Sequence, residues 1–86
     1  MGDTQTVGSD VRSRVFKIIS QVFKVPVESV TEDSSPDQIA KWDSLEHMNL
    51  VLALEESFKV QFEASQIGEM QSAGLILLVL KEKGIS

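Results

Sequence analysis

The sequence lacks several features on which common protein functions depend. None of its 86 residues is cysteine, which excludes a disulfide framework and a metal site built from thiolates. Its longest apolar run covers only residues 75–80, far short of the roughly 18 residues that a bilayer-spanning helix needs. Residues 1–8 show neither the basic start nor the apolar block of a signal peptide. We therefore expect a cytoplasmic protein without membrane insertion.

Basic residues are scarce in the middle of the chain. Residues 28–69 contain ten acidic residues against Lys41 and Lys59, in a chain whose net charge is −5. Nucleic acid is not an expected partner, because binding it requires clustered lysine and arginine. The acidic region instead favours enzymes with basic docking patches, although a single acidic side chain is more often only solvated surface.

The length of the chain allows one domain with a modest core, but no deep cleft that encloses a substrate. We expect an all-α fold, a small four-helix bundle of three longer helices and one short one. Residues 1–8 are predicted to be a flexible tail and residues 9–86 the folded domain. A long loop over residues 25–42 should join the first two helices and wrap across the bundle, with a helical turn over residues 36–40.

Capping and stop residues predict where the helices begin and end. Ser9 or Asp10 is the expected cap of the first helix. That helix should end near Lys24, because Pro26 disfavours helical dihedral angles at the residue before it. The other expected bounds are a short third helix over residues 63–67 stopped by Gly68, and a last helix from Ser72 to about Lys83 stopped by Gly84.

Residues 43–58 read as one helix with two separate apolar faces. Asp43 is the predicted N-cap, Glu46 completes a capping box, and Ser44 takes the first helical position. The face expected to be buried contains Leu50, Val51, Leu54 and Phe58. The face expected to meet water contains Leu45, Met48 and Leu52, flanked by Asn49, Glu55 and Glu56. A small domain needs a reason for that second face.

This helix carries a resemblance to a known family. The tripeptide Asp43-Ser44-Leu45, followed by an amphipathic helix that ends Leu54-Glu55-Glu56-Ser57-Phe58, resembles the acyl carrier protein family. The order of the remaining helices fits that family from about residue 10 to residue 84. One departure is visible: many carriers have a glycine two residues before the aspartate, whereas this chain has Lys41-Trp42 before Asp43.

The resemblance implies a carrier and not an enzyme. Ser44 would hold 4′-phosphopantetheine, which a phosphopantetheinyl transferase would transfer from coenzyme A. Asp43 and Leu45, on either side of Ser44, would complete the cofactor-binding motif. A monomer would carry an acyl group as a thioester to acyl-transferring and acyl-modifying enzymes of fatty acid, polyketide or related specialised lipid biosynthesis. The implied partner-binding residues are Leu45, Glu46, Met48, Leu52, Glu55 and Glu56.

Two other functions remain open at this stage. The carrier could transport an aminoacyl or peptidyl group of a non-ribosomal pathway, or the chain could be an unmodified helical interaction module. His47 is the only histidine and has no cysteine beside it, so neither a metal site nor a Ser–His–Asp triad is expected. Trp42 is interpreted as a loop anchor packed on the bundle.

Overall fold

The computed structural model describes the backbone of residues 7–85 and the side chains of residues 11–85. This part of the chain forms α1 (Val7–Phe23), a 3-10 turn (Val27–Ser29), α2 (Ser44–Phe58), α3 (Ala64–Glu69) and α4 (Ala73–Glu82). Three longer helices, one short helix and a long first loop confirm the predicted all-α fold. Within the same residues, no helix is both long enough and apolar enough to cross a membrane.

The three longer helices share one apolar core. Each contributes side chains spaced three or four residues apart, which places them on one side of the helix. The fully buried members are Val15, Ile19 and Phe23 from α1, Leu50, Val51 and Leu54 from α2, and Ala73, Ile76 and Leu80 from α4. Phe58 is only half-buried and lies under the Arg14 guanidinium, which is 4.3 Å from the ring centroid. The predicted buried face of α2 is confirmed for Leu50, Val51 and Leu54, whereas Phe58 is only partly covered.

The long loop packs against the first turn of α4. The Ser34 carbonyl accepts from the Ala73 N–H at 3.0 Å, and the Glu32 carbonyl accepts from the Gly74 N–H at 2.9 Å. These are donors that a helix start leaves unpaired. Ser34 itself is buried, and its Oγ accepts from the Thr31 N–H at 2.9 Å. The loop is therefore held across the bundle, as predicted.

The predicted ends of α1 and α4 are confirmed. Lys24, after α1, has φ 58°, and Lys59, after α2, has φ 57°. Both lie in the left-handed region that commonly ends a helix. Gly84 ends α4 with φ 88°, and at its other end the Ser72 Oγ accepts from the Leu75 N–H at 3.1 Å.

The predicted start of α1 is wrong. The helix begins at Val7, so Ser9 and Asp10 lie inside it and not at its start. Val7 precedes Val11 by four residues, which extends the apolar spacing by one turn. The rest of the predicted tail, residues 1–6, lies outside the described residues.

The predicted end of α3 is also wrong. Gly68 does not stop α3 but lies within it, and the helix continues to Glu69. A glycine permits a helix to end without requiring it, and here the chain turns at Met70, whose side chain is fully buried. The short helical turn predicted over residues 36–40 is confirmed, since the N–H groups of Gln38 and Ile39 both donate to the Ser35 carbonyl.

Candidate functional site

Asp43 caps α2, as the sequence predicts. Its backbone is extended, and its Oδ1 accepts from the Glu46 N–H at 2.9 Å. The second bond of the predicted capping box, from the Asp43 N–H to the Glu46 carboxylate, does not form, so that prediction is wrong. The Asp43 N–H donates to the Lys41 carbonyl at 3.0 Å, and Glu46 Oε1 accepts from Asn49 Nδ2 at 3.2 Å. Because the turn before the helix already satisfies the Asp43 N–H, the Glu46 carboxylate bonds along the helix instead.

Ser44 is the first residue of α2, and its side chain is exposed. The first hydrogen bond of the helix joins the His47 N–H to the Asp43 carbonyl at 2.7 Å. The N–H groups of Ser44 and Leu45 precede that bond, at the positive end of the helix dipole. An anion there gains about 0.3–1 kcal/mol when exposed, which offsets part of the repulsion from the Asp43 carboxylate. Ser44 therefore offers an accessible hydroxyl where a phosphate can be accommodated.

A depression of about 520 Å³ lies beside Ser44. Its walls come from the loop, from α2 and from the segment after α3. The lining residues are Pro36, Trp42, Asp43, Ser44, His47, Met48 and Gln71. Both apolar and hydrogen-bonding groups line it, which suits a flexible chain that contains both.

Trp42 and His47 form the inner wall of this depression. Trp42 is buried against Phe23, with ring centroids 5.0 Å apart, which confirms its predicted role as a loop anchor. Its indole N–H donates to His47 Nδ1 at 2.9 Å, and His47 Nε2 lies 2.9 Å from the Ile67 carbonyl oxygen. Sequence reasoning missed this bridge, because no local pattern indicates that α3 lies beside His47. In the described part of the chain, no group of three metal-ligating side chains could hold an ion.

The second apolar face of α2 is exposed, as predicted. Leu45 is 72% exposed, Met48 43% and Leu52 56%. Leu50 and Leu54, on the other side of the same helix, are fully buried. Met48 also lines the depression beside Ser44, so the exposed face is continuous with the surroundings of the serine. We call Leu45, Met48 and Leu52 the outer face of α2.

The acidic residues around the outer face differ in their surroundings. Glu56 is exposed, whereas Glu55 is half-buried. Glu55 Oε2 accepts from the Phe62 N–H at 2.9 Å, so this carboxylate holds the turn that follows α2. The sequence pattern, which shows only that Glu55 flanks the outer face, could not reveal that bond. Within residues 7–85, Glu46 and Glu56 are the flanking carboxylates that do not bind the backbone of another segment.

The fold and the site together define a carrier domain, a small helical bundle that presents a hydroxyl beside an exposed apolar face. No protein-family model matches the chain. Curated relatives do match: over 75 residues the chain is 32% identical to an acyl carrier protein of Caulobacter vibrioides strain NA1000 / CB15N, covering 87% of this chain and 96% of that protein. An acyl carrier protein of Phenylobacterium zucineum is 32% identical over 75 residues, with coverages of 87% and 95%.

A solved structure gives the same result. The solution NMR structure of holo acyl carrier protein from Geobacter metallireducens matches with a TM-score of 0.69 and 30% identity, over 86% of this chain and 82% of that one. The chain belongs to the acyl carrier protein family, as its resemblance implied. Acyl carrier proteins are carriers and not enzymes.

Proposed function

We propose that this protein carries an acyl group on 4′-phosphopantetheine attached to Ser44. The exposed Ser44 hydroxyl at the start of α2 is the observation that supports this most directly. A phosphopantetheinyl transferase would join the group from coenzyme A to Ser44 Oγ as a phosphodiester. When bound, the group supplies a terminal thiol that can hold an acyl chain as a thioester.

The residues around Ser44 fit such a group. Asp43 fixes the start of α2 through its bond to the Glu46 N–H, so the Ser44 hydroxyl is held at the surface. The free end of the helix favours the phosphate. The depression between Trp42, Met48 and Gln71 offers apolar and polar contacts to the remainder of the group.

The outer face of α2 is the proposed docking surface for partner enzymes. Leu45, Met48 and Leu52 are exposed next to the serine that carries the cargo. Glu46 and Glu56 add negative charge that basic patches on enzymes would complement, which increases association rates. A small apolar contact with charged surroundings releases quickly, as a carrier that serves successive enzymes requires.

The cargo is proposed to be an acyl group of fatty acid, polyketide or related specialised lipid biosynthesis. The curated relatives reported above are named acyl carrier proteins, and the acidic region of residues 28–69 is consistent with that type. An aminoacyl or peptidyl cargo would change the group on the thiol but leave the role of Ser44 the same. No observation on this chain favours it.

Intact mass spectrometry tests the attachment. After incubation with a broad-specificity phosphopantetheinyl transferase, coenzyme A and Mg²⁺, we expect the mass to rise by one phosphopantetheine. Ser44→Ala should abolish that rise while leaving the circular dichroism spectrum unchanged, because the Asp43 cap remains. Ser57→Ala is the control, since Ser57 lies at the far end of α2. An unmodified wild-type protein with several transferases would favour an unmodified interaction module instead.

A further inference from the structure

Trp42, His47 and Ile67 join three segments of the chain beside Ser44. The Trp42 indole N–H donates to His47 Nδ1 at 2.9 Å, and His47 Nε2 is 2.9 Å from the Ile67 carbonyl oxygen. Trp42 ends the long loop, His47 lies in the first turn of α2, and Ile67 belongs to α3. The Trp42 and His47 side chains also line the depression that contains Ser44. We call these two hydrogen bonds the imidazole bridge.

The chemistry of the three groups allows the bridge only one arrangement. An indole N–H can only donate, and a backbone carbonyl can only accept. Trp42 therefore requires an unprotonated Nδ1 on His47. The neutral imidazole then carries its proton on Nε2, where it donates to the Ile67 carbonyl. A side chain at position 47 must accept at one end and donate at the other.

Burial makes the imidazole bridge sensitive to substitution. Trp42 is only 4% exposed and stacks on Phe23 at an interplanar angle of 28°. Without the imidazole, the buried indole N–H would lose its acceptor, which costs more than the loss of an exposed hydrogen bond. The Trp42 ring would then shift to find another partner. Asp43, the next residue, would shift with it and change the presentation of Ser44.

We propose that His47 is a positioning residue for the modification of Ser44. By holding Trp42, it fixes Asp43 and the start of α2 in the orientation that a transferase recognises. By holding Ile67, it also fixes α3 against the same end of α2. The inference rests on the proposed attachment of phosphopantetheine to Ser44, but His47 acts through Trp42 and takes no part in the chemistry.

Three substitutions separate the imidazole bridge from the surrounding packing. His47→Leu keeps an apolar volume and removes both polar ends. Trp42→Phe keeps an aromatic ring against Phe23, but it removes the donor together with part of the indole volume. His47→Gln restores an acceptor and a donor on one side chain. Val79→Ala, in the buried part of α4, is a control that loses stability without touching the bridge.

The first readout is the steady-state modification of each apo variant by a phosphopantetheinyl transferase with coenzyme A and Mg²⁺. In His47→Leu and in Trp42→Phe we expect the KM for the carrier to rise at least about tenfold, because losing the bond to the buried indole lowers the population of the conformation that the transferase recognises. We expect kcat to change little, because the transferase supplies the chemistry. His47→Gln should recover most of the loss, and Val79→Ala should keep the wild-type KM.

The second readout is NMR of the side chains themselves. Trp42 is the only tryptophan and His47 the only histidine, so each gives a single, unambiguous set of signals. We expect the indole N–H to exchange slowly with water and the imidazole to carry its proton on Nε2. In His47→Leu the indole N–H should exchange faster and its chemical shift should move.

These outcomes distinguish the inference from the proposed function. An unmodified wild-type protein would contradict the proposed function. The role of His47 would be overturned, and the proposed function would stand, if the wild type is modified normally and both His47→Leu and Trp42→Phe keep the wild-type KM. A proton on Nδ1, or a rapidly exchanging indole N–H in the wild type, would overturn it too. If His47→Leu does not fold, the KM of Trp42→Phe is the test: a raised KM supports the role of His47, and a wild-type KM overturns it.

Discussion

The two faces of α2 contain the same kinds of residue in opposite environments. Leu54 is fully buried, whereas Leu52, two residues earlier, is 56% exposed. Both are leucines in the middle of one helix, so neither residue type nor helix propensity explains the difference. The direction of each side chain decides what it does. The inner face, formed by Leu50, Val51, Leu54 and Phe58, holds α2 in the bundle. The outer face leaves an apolar surface beside Ser44.

The largest expected effect comes from breaking the inner face. Leu54→Ala should lower the free energy of unfolding by about 2–5 kcal/mol, because it removes buried side-chain atoms and leaves a cavity. That is a large part of the roughly 5–15 kcal/mol that stabilises a typical domain. Urea titration followed by circular dichroism measures the change. A loss below about 1 kcal/mol would show that the core around Leu54 is not tightly packed.

Helical spacing and capping were enough to predict the two faces. Leu50 and Leu54 recur at the period that places them on one side, and Asp43 caps the helix that carries them. These signals are local, because each depends on residues within about four positions of one another. Capping and stop residues likewise predicted Ser44 as the first helical residue and Gly84 as the end of α4.

Contacts between distant segments could not be predicted in this way. The sequence does not indicate that the Ile67 carbonyl lies beside His47, or that the Phe62 N–H approaches the Glu55 carboxylate. Each of these hydrogen bonds depends on how the turn after α2 folds back. The site was therefore predictable at the start of α2, while the groups that support it required the structure.

Two glycines extend the comparison to the backbone. A Cβ on Gly74 would lie 3.3 Å from the Glu32 carbonyl oxygen, whereas a Cβ on Gly68 would meet nothing within 4 Å. Gly68→Ala should therefore stabilise the protein by about 0.4–1 kcal/mol, because alanine reduces the entropy of the unfolded chain. Gly74→Ala should destabilise it by up to about 1 kcal/mol, because crowding against the loop costs more than that gain.

Opposite signs in thermal or urea unfolding would support this comparison of the glycines. The Gly74 N–H also donates to the Glu32 carbonyl, so the loop cannot move away without lengthening that bond. Equal stabilisation by both substitutions would show that the loop adjusts freely, and that its contact with α4 is looser than the structure indicates.

The smallest expected effect on stability comes from the outer face. Leu52→Ala and Met48→Ala should each change the free energy of unfolding by less than about 0.5 kcal/mol, because exposed side chains away from the core contribute little to folding. Both should nevertheless weaken association with a partner enzyme, since truncating an apolar contact at an interface removes binding energy. Urea titration and a binding assay on Leu52→Ala, Met48→Ala and Leu54→Ala separate the two faces. The assignment of the faces fails if Leu52→Ala unfolds as readily as Leu54→Ala while its partner binding stays at the wild-type level.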